Sequence, residues 1–153
     1  MTIRCEIVSQ DRTVFENDVD IVVVPGMDGE MGILPNHSPL LSTIRLGVIK
    51  VRYGDQEENF TITGGLVEIQ PDIVTILADA AENVDEISVS RAEEARERAA
   101  QRLEEGPPAG TDAFLAAEAA LRRSSLRLDA ARRLGRTRTR SQFPPASGER
   151  DNL

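Results

Sequence analysis

Apolar residues recur with two different periods along this chain. Up to about residue 78 they alternate with polar residues in short runs such as Ile3–Ile7 and Val48–Tyr53. From residue 90 onward they recur at spacings of three and four. Alternation is the pattern of a strand with one buried face, and the longer spacing is that of an amphipathic helix. The sequence therefore predicts an α+β protein in which strands come first and helices follow.

The first half is predicted to be a β-sandwich or flattened barrel. Val19–Val24 is rich in β-branched residues and is predicted to be one strand. Two hairpins are also predicted: Val48–Tyr53 with Glu58–Ile62, and Leu66–Ile69 with Ile73–Leu77. Many short strands separated by frequent turns are typical of sandwiches and barrels. We assign residues 1–85 to this domain.

A change in pattern near residue 79 marks the start of the helical half. Ala81–Glu86 is predicted to be a linker. Ser90 and Glu93 have the spacing of a capping box, which predicts the start of the first helix at this point. The Gly/Pro-rich segment 106–110 ends that helix, because two adjacent prolines cannot continue it.

The second helix is expected to start at Thr111 or Asp112, either of which can cap it. Leu134-Gly135 is its predicted end. Two helices joined by a short loop form an antiparallel hairpin, which we assign to residues 86–135. Residues 136–153 are rich in Arg, Ser, Pro and Thr, and we expect a disordered basic tail there.

Each helix carries one apolar seam, and that of the first helix is narrow and made mostly of small side chains. The seam residues are Ala92, Ala95, Ala99 and Leu103 in the first helix, and Phe114, Ala117, Leu121, Ser124, Leu128 and Ala131 in the second. Alanine-lined helices approach closely but bury little apolar area, so the hairpin is marginal by itself. The hairpin is expected to pack against the sandwich or against a partner.

Charge is distributed unevenly over the two halves. The chain has a net charge of −8, but residues 1–121 hold 23 acids and nine basic residues, and residues 122–153 hold three acids and nine arginines. A basic segment on an acidic body is typical of a contact with an acidic partner. We do not expect nucleic acid, because Phe143 is the single aromatic of that segment and offers no stacking series.

The location expected from the sequence is cytoplasmic. The chain has no run of 18 or more apolar residues, which predicts no direct insertion into a membrane. The first residues lack the apolar stretch of a secretory signal. Cys5 is the sole cysteine, which excludes an internal disulfide and suits a reducing compartment.

Catalytic and metal-binding patterns are weak, so the sequence does not predict an enzyme. His37 and Ser38 are neighbours, but neighbours in an extended chain point to opposite faces. Neither a nucleophile elbow nor a phosphate-binding loop is present. One histidine and one cysteine do not make a zinc site, and no cofactor is expected for catalysis. A small hydrolase remains a rival hypothesis.

Three stretches of the β half together form a recognisable pattern. Val22–Gly29 ends in a glycine/acid turn, Glu30–Leu41 reads EMGILPNHSPLL, and Gly64–Ile69 opens with two glycines. Found in this order over roughly 50 residues, they resemble the epsilon subunit of the rotary F-type ATP synthase. The resemblance continues more loosely to about residue 134.

That resemblance implies a non-catalytic rotor subunit in the central stalk of a proton-translocating ATP synthase. The implied partners are the gamma subunit, the membrane rotor ring, and the catalytic alpha and beta subunits. The implied location is peripheral, on the cytoplasmic face of the plasma membrane. Glu30 and His37 match the positions that face the gamma subunit and the ring. Gly32 is expected to serve a backbone angle, and two nearby prolines to stiffen the loop.

The resemblance also implies a regulatory ATP site on the hairpin. The family motif Ile/Leu-Asp-x-x-Arg-Ala aligns with Ile87–Ala92, where Ser88 replaces the aspartate. The matching positions are Glu82, Ile87, Arg91, Ala92, Arg98, Arg123 and Arg127. The alternative is that these arginines are ordinary solvated or ion-paired side chains. A free-standing ATP-sensing module is the second functional hypothesis.

Arginines of the second helix are expected to contact the catalytic beta subunits. In the resembled family the hairpin leaves the sandwich, extends along the stalk and inhibits ATP hydrolysis. The residues assigned to this electrostatic contact are Arg122, Arg123, Arg127, Arg132, Arg133 and Arg136. Such a switch requires two positions of the hairpin that are close in free energy.

Overall fold

The computed structural model describes residues 1–141, with side chains described for residues 1–135. Ten strands come first and two helices follow, which confirms the predicted fold class. The strands are β1 (Ile3–Val8), β2 (Thr13–Val19), β3 (Ile21–Gly26), β4 (Gly29–Ile33), β5 (Leu40–Ile44), β6 (Gly47–Tyr53), β7 (Gln56–Ile62), β8 (Gly65–Ile69), β9 (Ile73–Ala78) and β10 (Ala81–Asn83). The helices are α1 (Val89–Glu104) and α2 (Asp112–Ser141).

One continuous sheet folds over itself to make the two layers of the sandwich. Its strand order is β10-β7-β6-β3-β5-β8-β9-β1-β2, and β4 pairs with β3 beside this path. All pairings are antiparallel except that of β1 with β9. The ring of Phe15 on β2 lies 5.3 Å from that of Phe60 on β7, so the two ends of the sheet face each other across the core.

The sandwich encloses an apolar core because alternate residues of each strand point inward. In β1 these are Ile3, Cys5 and Ile7, which are all buried. The two predicted hairpins are present, β6 with β7 and β8 with β9. Ile49 and Phe60 are directly paired across the first hairpin and both are buried.

The prediction that Val19–Val24 forms one strand is wrong. β2 ends at Val19 and β3 begins at Ile21, because Asp20 turns the chain between them. The Asp20 amide donates to the carbonyl of Arg52 at 2.7 Å, and its carboxylate accepts from the Gly54 amide at 2.9 Å. Asp20 therefore closes the turn between β6 and β7, which lies more than 30 residues away in sequence.

Ala81–Glu86, predicted to be a linker, is ordered structure. Residues 81–83 form β10, which pairs with β7, and Val84–Glu86 forms a short 3-10 helix. The Asn83 side chain caps this turn by accepting from the Asp85 amide at 2.9 Å. The segment is consequently an edge of the sandwich and extends the sheet toward the helices.

The first helix begins earlier than predicted. Its N-cap is Ser88, whose hydroxyl accepts from the Arg91 amide at 3.4 Å, and Ser90 already lies within the helix. The capping-box assignment to Ser90 and Glu93 is therefore wrong. Two serines two residues apart both fit an N-cap by type, and the β-region backbone of Ser88, with φ −78° and ψ 113°, decides between them.

The second helix starts as predicted but ends later. Thr111 caps it, since its hydroxyl accepts from the Phe114 amide at 3.3 Å. The helix runs to Ser141 and passes through Gly135, which lacks the positive φ of a helix-ending glycine. A mid-helix glycine costs about 1 kcal/mol relative to alanine. The predicted basic tail thus begins as helix, and residues 142–153 lie outside the described residues.

The hairpin rests on the sandwich through a second, smaller cluster. Val84 and Ile87 of the connecting segment pack with Ala92, Leu128 and Ala130 of the helices. This cluster is separate from the sandwich core. The two parts therefore have distinct cores, and the helices are held by a small apolar contact.

Candidate functional site

Glu30 is an exposed carboxylate near the start of β4. The pairing of β4 with β3 sets it opposite Pro25, just after the turn at residues 27–28. Its carboxylate lies 3.9 Å from the ammonium group of Lys50. Both side chains are solvated, so this ion pair contributes little stability. Glu30 is therefore available to a partner at this end of the sandwich.

His37 is held by a tight turn that follows β4. Its amide donates to the Leu34 carbonyl at 3.2 Å, with Pro35 and Asn36 between them. Asn36 has a φ of 63°, which suits the third position of a type II turn, and Pro35 suits the second. The imidazole Nδ1 lies 2.7 Å from the Ser38 carbonyl and donates to it, so the ring is fixed by its own loop.

Glu30 and His37 do not form one site. They lie at opposite ends of β4, and Ile33 at the end of that strand is already about 10 Å along from Glu30. The loop of His37 is tied to another turn, since the Asn36 amide donates to the Pro71 carbonyl at 2.8 Å. The two residues belong to two separate patches of the sandwich surface.

Gly32 does not serve a special backbone angle, contrary to the expectation from sequence. Its φ is not positive, and a Cβ built on it meets only the Ile21 side chain, at 3.8 Å. Gly65 is the glycine of the pattern at which a built Cβ meets the closest neighbour. Its φ is 150°, and a Cβ there lies 2.1 Å from the Leu77 carbonyl oxygen.

A cleft of about 470 Å³ lies between the sandwich and the hairpin. On the sandwich side it is lined by β7 and β10, and on the hairpin side by α1 and α2. Glu82, Arg123 and Arg127 all line it, so the structure brings together three of the residues assigned to the ATP site. Arg12, from the turn between β1 and β2, lines it too.

Glu82 and Arg127 form a bidentate ion pair within this cleft. Arg127 donates from Nε to one carboxylate oxygen at 2.8 Å and from Nη2 to the other at 3.1 Å. Both side chains are about one third exposed, at 30% and 33%. Among the described side chains Arg123 has no ion-pair partner, so the cleft keeps a cation beside this pair.

The other residues of the motif do not line the cleft. Ile87 and Ala92 are buried in the cluster beneath the helices, where they pack rather than bind. Arg91 is exposed, and Arg98 lies 4.0 Å from Glu94 on the outer face of α1. Ser88 caps α1, a function that an aspartate at this position also supplies.

Arg12 is the residue of the cleft that sequence reasoning missed. It lies about 70 residues before Glu82 in the chain, and no local pattern marks it. Its guanidinium lies 3.8 Å from the Glu86 carboxylate. Only the pairing of β1 with β9 and β2 brings this turn to the hairpin.

Several arginines assigned to the beta-subunit contact are engaged within the chain. Arg122 pairs with Glu118 at 3.0 Å within α2, and Arg132 pairs with Glu93 of α1. Arg133 also has an interaction partner. The side chain of Arg136 lies outside the described residues. In the docked hairpin, Arg122, Arg127 and Arg132 are therefore each paired with an acid of the same chain.

Neither metal-binding clusters nor membrane spans stand out in the part of the chain that the structure describes. Within it, no three His, Cys, Asp or Glu side chains converge in a way that would hold a metal ion. No described helix has the length and apolar character needed to cross a bilayer.

Family models match the chain on both sides of the boundary between strands and helices. Residues 2–84 match the model for the ATP synthase delta/epsilon chain β-sandwich domain, and residues 85–132 match that for its long α-helix domain. The chain belongs to the ATP synthase delta/epsilon family. This confirms the resemblance seen in the sequence.

Relatives of this delta/epsilon family chain are named ATP synthase epsilon chain. That of Dehalococcoides mccartyi is 42% identical over 131 residues, covering 84% of this chain and 91% of the relative. That of Halalkalibacterium halodurans is 43% identical over 132 residues, covering 86% and 98%. That of Syntrophobacter fumaroxidans is 46% identical over 129 residues, covering 84% and 95%. The likeness therefore extends across both parts of the delta/epsilon fold.

Solved structures share this delta/epsilon fold. A chain of the Euglena gracilis mitochondrial ATP synthase, in an OSCP/F1/c-ring structure, has a TM-score of 0.71 at 24% identity, covering 85% of this chain and 81% of that one. A chain of the Tetrahymena thermophila mitochondrial ATP synthase central stalk and c-ring has a TM-score of 0.57 at 16% identity, covering 86% and 97%. At these identities the likeness concerns the fold.

Proposed function

We propose that the chain is a non-catalytic rotor subunit in the central stalk of a proton-translocating ATP synthase. Its sandwich joins the gamma subunit to the membrane rotor ring, and its hairpin restrains ATP hydrolysis by the alpha and beta subunits. The catalytic residues of that assembly lie on other chains. The subunit is peripheral and lies on the cytoplasmic face of the plasma membrane.

The observation that carries this proposal is the match of both family domains, in order, over residues 2–132. The architecture supports it as well. A sandwich with a continuous buried core gives a rigid body, whereas the hairpin rests on a small separate cluster. Glu30 and His37, on two patches of the rigid part, suit two contacts rather than one.

Three assemblies of the ATP synthase test the two roles separately. They contain the full chain, a chain ending at residue 87, or no such chain. We expect the truncated form to hydrolyse ATP faster than the full form and still to pump protons. Without the chain, pumping should be lost. Equal hydrolysis by the full and truncated forms would contradict the restraint, and retained pumping without the chain would contradict the rotor role.

The cleft supports regulatory ATP binding as a second function of the same subunit. Its volume is within the range of small-molecule sites. Arg123 and Arg12 supply guanidinium groups on opposite walls, and guanidinium forks are suited to phosphate oxygens. The same observation supports the alternative, a free-standing ATP-sensing module.

Calorimetric titration of the isolated chain with ATP tests this second function. Arg123→Gln should abolish or strongly weaken any binding, while Arg122→Gln, one residue away but outside the cleft, should not. Micromolar binding without partners would favour the sensing module over a mere regulatory site. If the two substitutions changed the affinity for ATP equally, ATP would not bind in the cleft.

A further inference from the structure

A carboxylate–guanidinium pair joins the hairpin to the sandwich. Glu82 lies on β10 at the edge of the sheet, and Arg127 lies on α2. Their contact is bidentate, with N–O distances of 2.8 and 3.1 Å. We propose that this pair is a latch that holds the hairpin in its docked position, so that breaking it releases the helices while the sandwich stays folded.

The geometry makes this pair stronger than an ordinary surface ion pair. Two parallel hydrogen bonds fix both planar groups, and partial burial reduces screening by water and salt. The ion pair between Arg122 and Glu118 is a useful contrast. It lies on the same helix at 3.0 Å but joins two residues of α2, so it makes no contact across the boundary between hairpin and sandwich.

The apolar contact that the latch supplements is small. Five buried residues form the cluster beneath the hairpin, two of them alanines, and the partly buried Val48, Ala131 and Leu134 pack against it. The sandwich core is far larger and does not include them. The latch therefore adds a polar contact between hairpin and sandwich to this apolar one, and it takes no part in the sandwich core.

The latch also determines which charges a released hairpin presents. While docked, the Arg127 guanidinium is neutralised by Glu82. When the hairpin leaves, Arg127 becomes available beside Arg123, and an acidic partner surface can replace the lost carboxylate. This step rests on the proposed restraint of hydrolysis. The latch itself depends only on the intramolecular contact.

Thiol labelling of the isolated full-length chain measures the release. Ala130 lies in the cluster beneath the hairpin and is 4% exposed. Ala130→Cys therefore places a thiol that reacts only when the hairpin opens. Cys5 lies in the sandwich core and reports unfolding of the strands in the same sample. Glu82→Gln, Arg127→Gln, their combination, and Glu118→Gln as the control are compared in this background.

We expect Glu82→Gln and Arg127→Gln each to raise the labelling rate of the introduced thiol roughly tenfold. This is the effect expected for losing a charged hydrogen-bonded pair, reduced because the pair is partly exposed to solvent. The combined variant should label no faster than the faster single variant, since both remove one interaction. Glu118→Gln and the rate at Cys5 should not change.

Unchanged labelling in the single variants would overturn the latch, and so would multiplied effects in the combined variant. An equal rise at Cys5 would overturn it as well, because it would indicate unfolding of the whole chain. No other subunit is needed for this measurement. A failure here is thus distinguishable from a failure of the proposed restraint, which is measured in the assembled enzyme.

Discussion

Single residues show how little freedom the sandwich has at its strand junctions. Gly65 begins β8, between Ile44 of β5 and Ala78 of β9. Its φ of 150° and the Leu77 carbonyl 2.1 Å from a built Cβ leave no room for a side chain. Gly32 belongs to the same sequence pattern but has neither restriction.

Gly65→Ala should destabilise the sandwich by more than about 2 kcal/mol, because it combines backbone strain with a steric clash. Gly32→Ala should change the free energy of unfolding by less than about 1 kcal/mol. Urea unfolding of both variants, followed by circular dichroism, measures the difference. Similar losses of unfolding free energy for the two variants would contradict the conclusion that Gly65 is constrained and Gly32 is not.

Cys5 is the buried thiol of the core, and its environment predicts a pH dependence. Desolvation raises its pKa from 9.0 to about 12. The unfolded chain therefore loses the thiol proton above pH 9.0, while the folded chain keeps it to about pH 12. Stability should fall as the pH rises through this interval.

Denaturant unfolding between pH 8 and 11 measures this contribution. In Cys5→Ala the part of the decline that belongs to the thiol should disappear, although the variant is less stable at every pH because it leaves a small cavity. If the unfolding free energies of the two proteins fell in parallel with pH, the thiol would not contribute to the decline.

At the scale of elements, sequence patterns predicted what is local and missed what depends on distant partners. The hairpin of β6 and β7 follows from alternating residues around Gly54. The sequence does not predict β10, because Ala81–Asn83 has no strand pattern and is a strand only by its pairing with β7. Similarly, the resemblance implies a site for Glu82, Arg123 and Arg127, whereas Arg12 joins them only through the fold.

The cap of α1 offers a test at this scale. Ser88→Ala removes the acceptor for the Arg91 amide and should cost about 1 kcal/mol in the first turn of the helix. Ser90→Ala changes a residue within the helix whose hydroxyl lies 3.2 Å from that of Ser88, and it should have the smaller effect because the acceptor for the Arg91 amide remains. Hydrogen exchange of the first turn of α1 measures both, and faster exchange only in Ser90→Ala would reverse the assignment.

In the whole molecule, a large core and a small cluster lie side by side. The strands enclose continuous apolar contacts from Ile3 to Ala78, while the helices meet through alanines and a few larger side chains. The two parts are expected to differ in local stability, because a region with fewer buried apolar contacts needs less free energy to open. The loosely held part is the one that the proposed function requires to move.

Separate expression of the two parts tests this asymmetry. Residues 1–87 should fold cooperatively alone, since the sandwich core lies entirely within them. Residues 86–141 should be largely unfolded alone, because a short alanine-lined hairpin is marginal in water. Far-UV circular dichroism with thermal scans distinguishes the outcomes, and a cooperative transition in the helical fragment would contradict the expectation.

The parallel pairing of β1 with β9 has a consequence for synthesis on the ribosome. The first strand to emerge binds its neighbour β9, which is made some 70 residues later. Until Ile73–Ala78 has left the exit tunnel, β1 has β2 alone and the two-layer body cannot close. Long-range pairing of this kind slows folding, and apolar strands that wait for β9 are exposed and can aggregate. The nascent chain is consequently most exposed to aggregation just before its ninth strand appears.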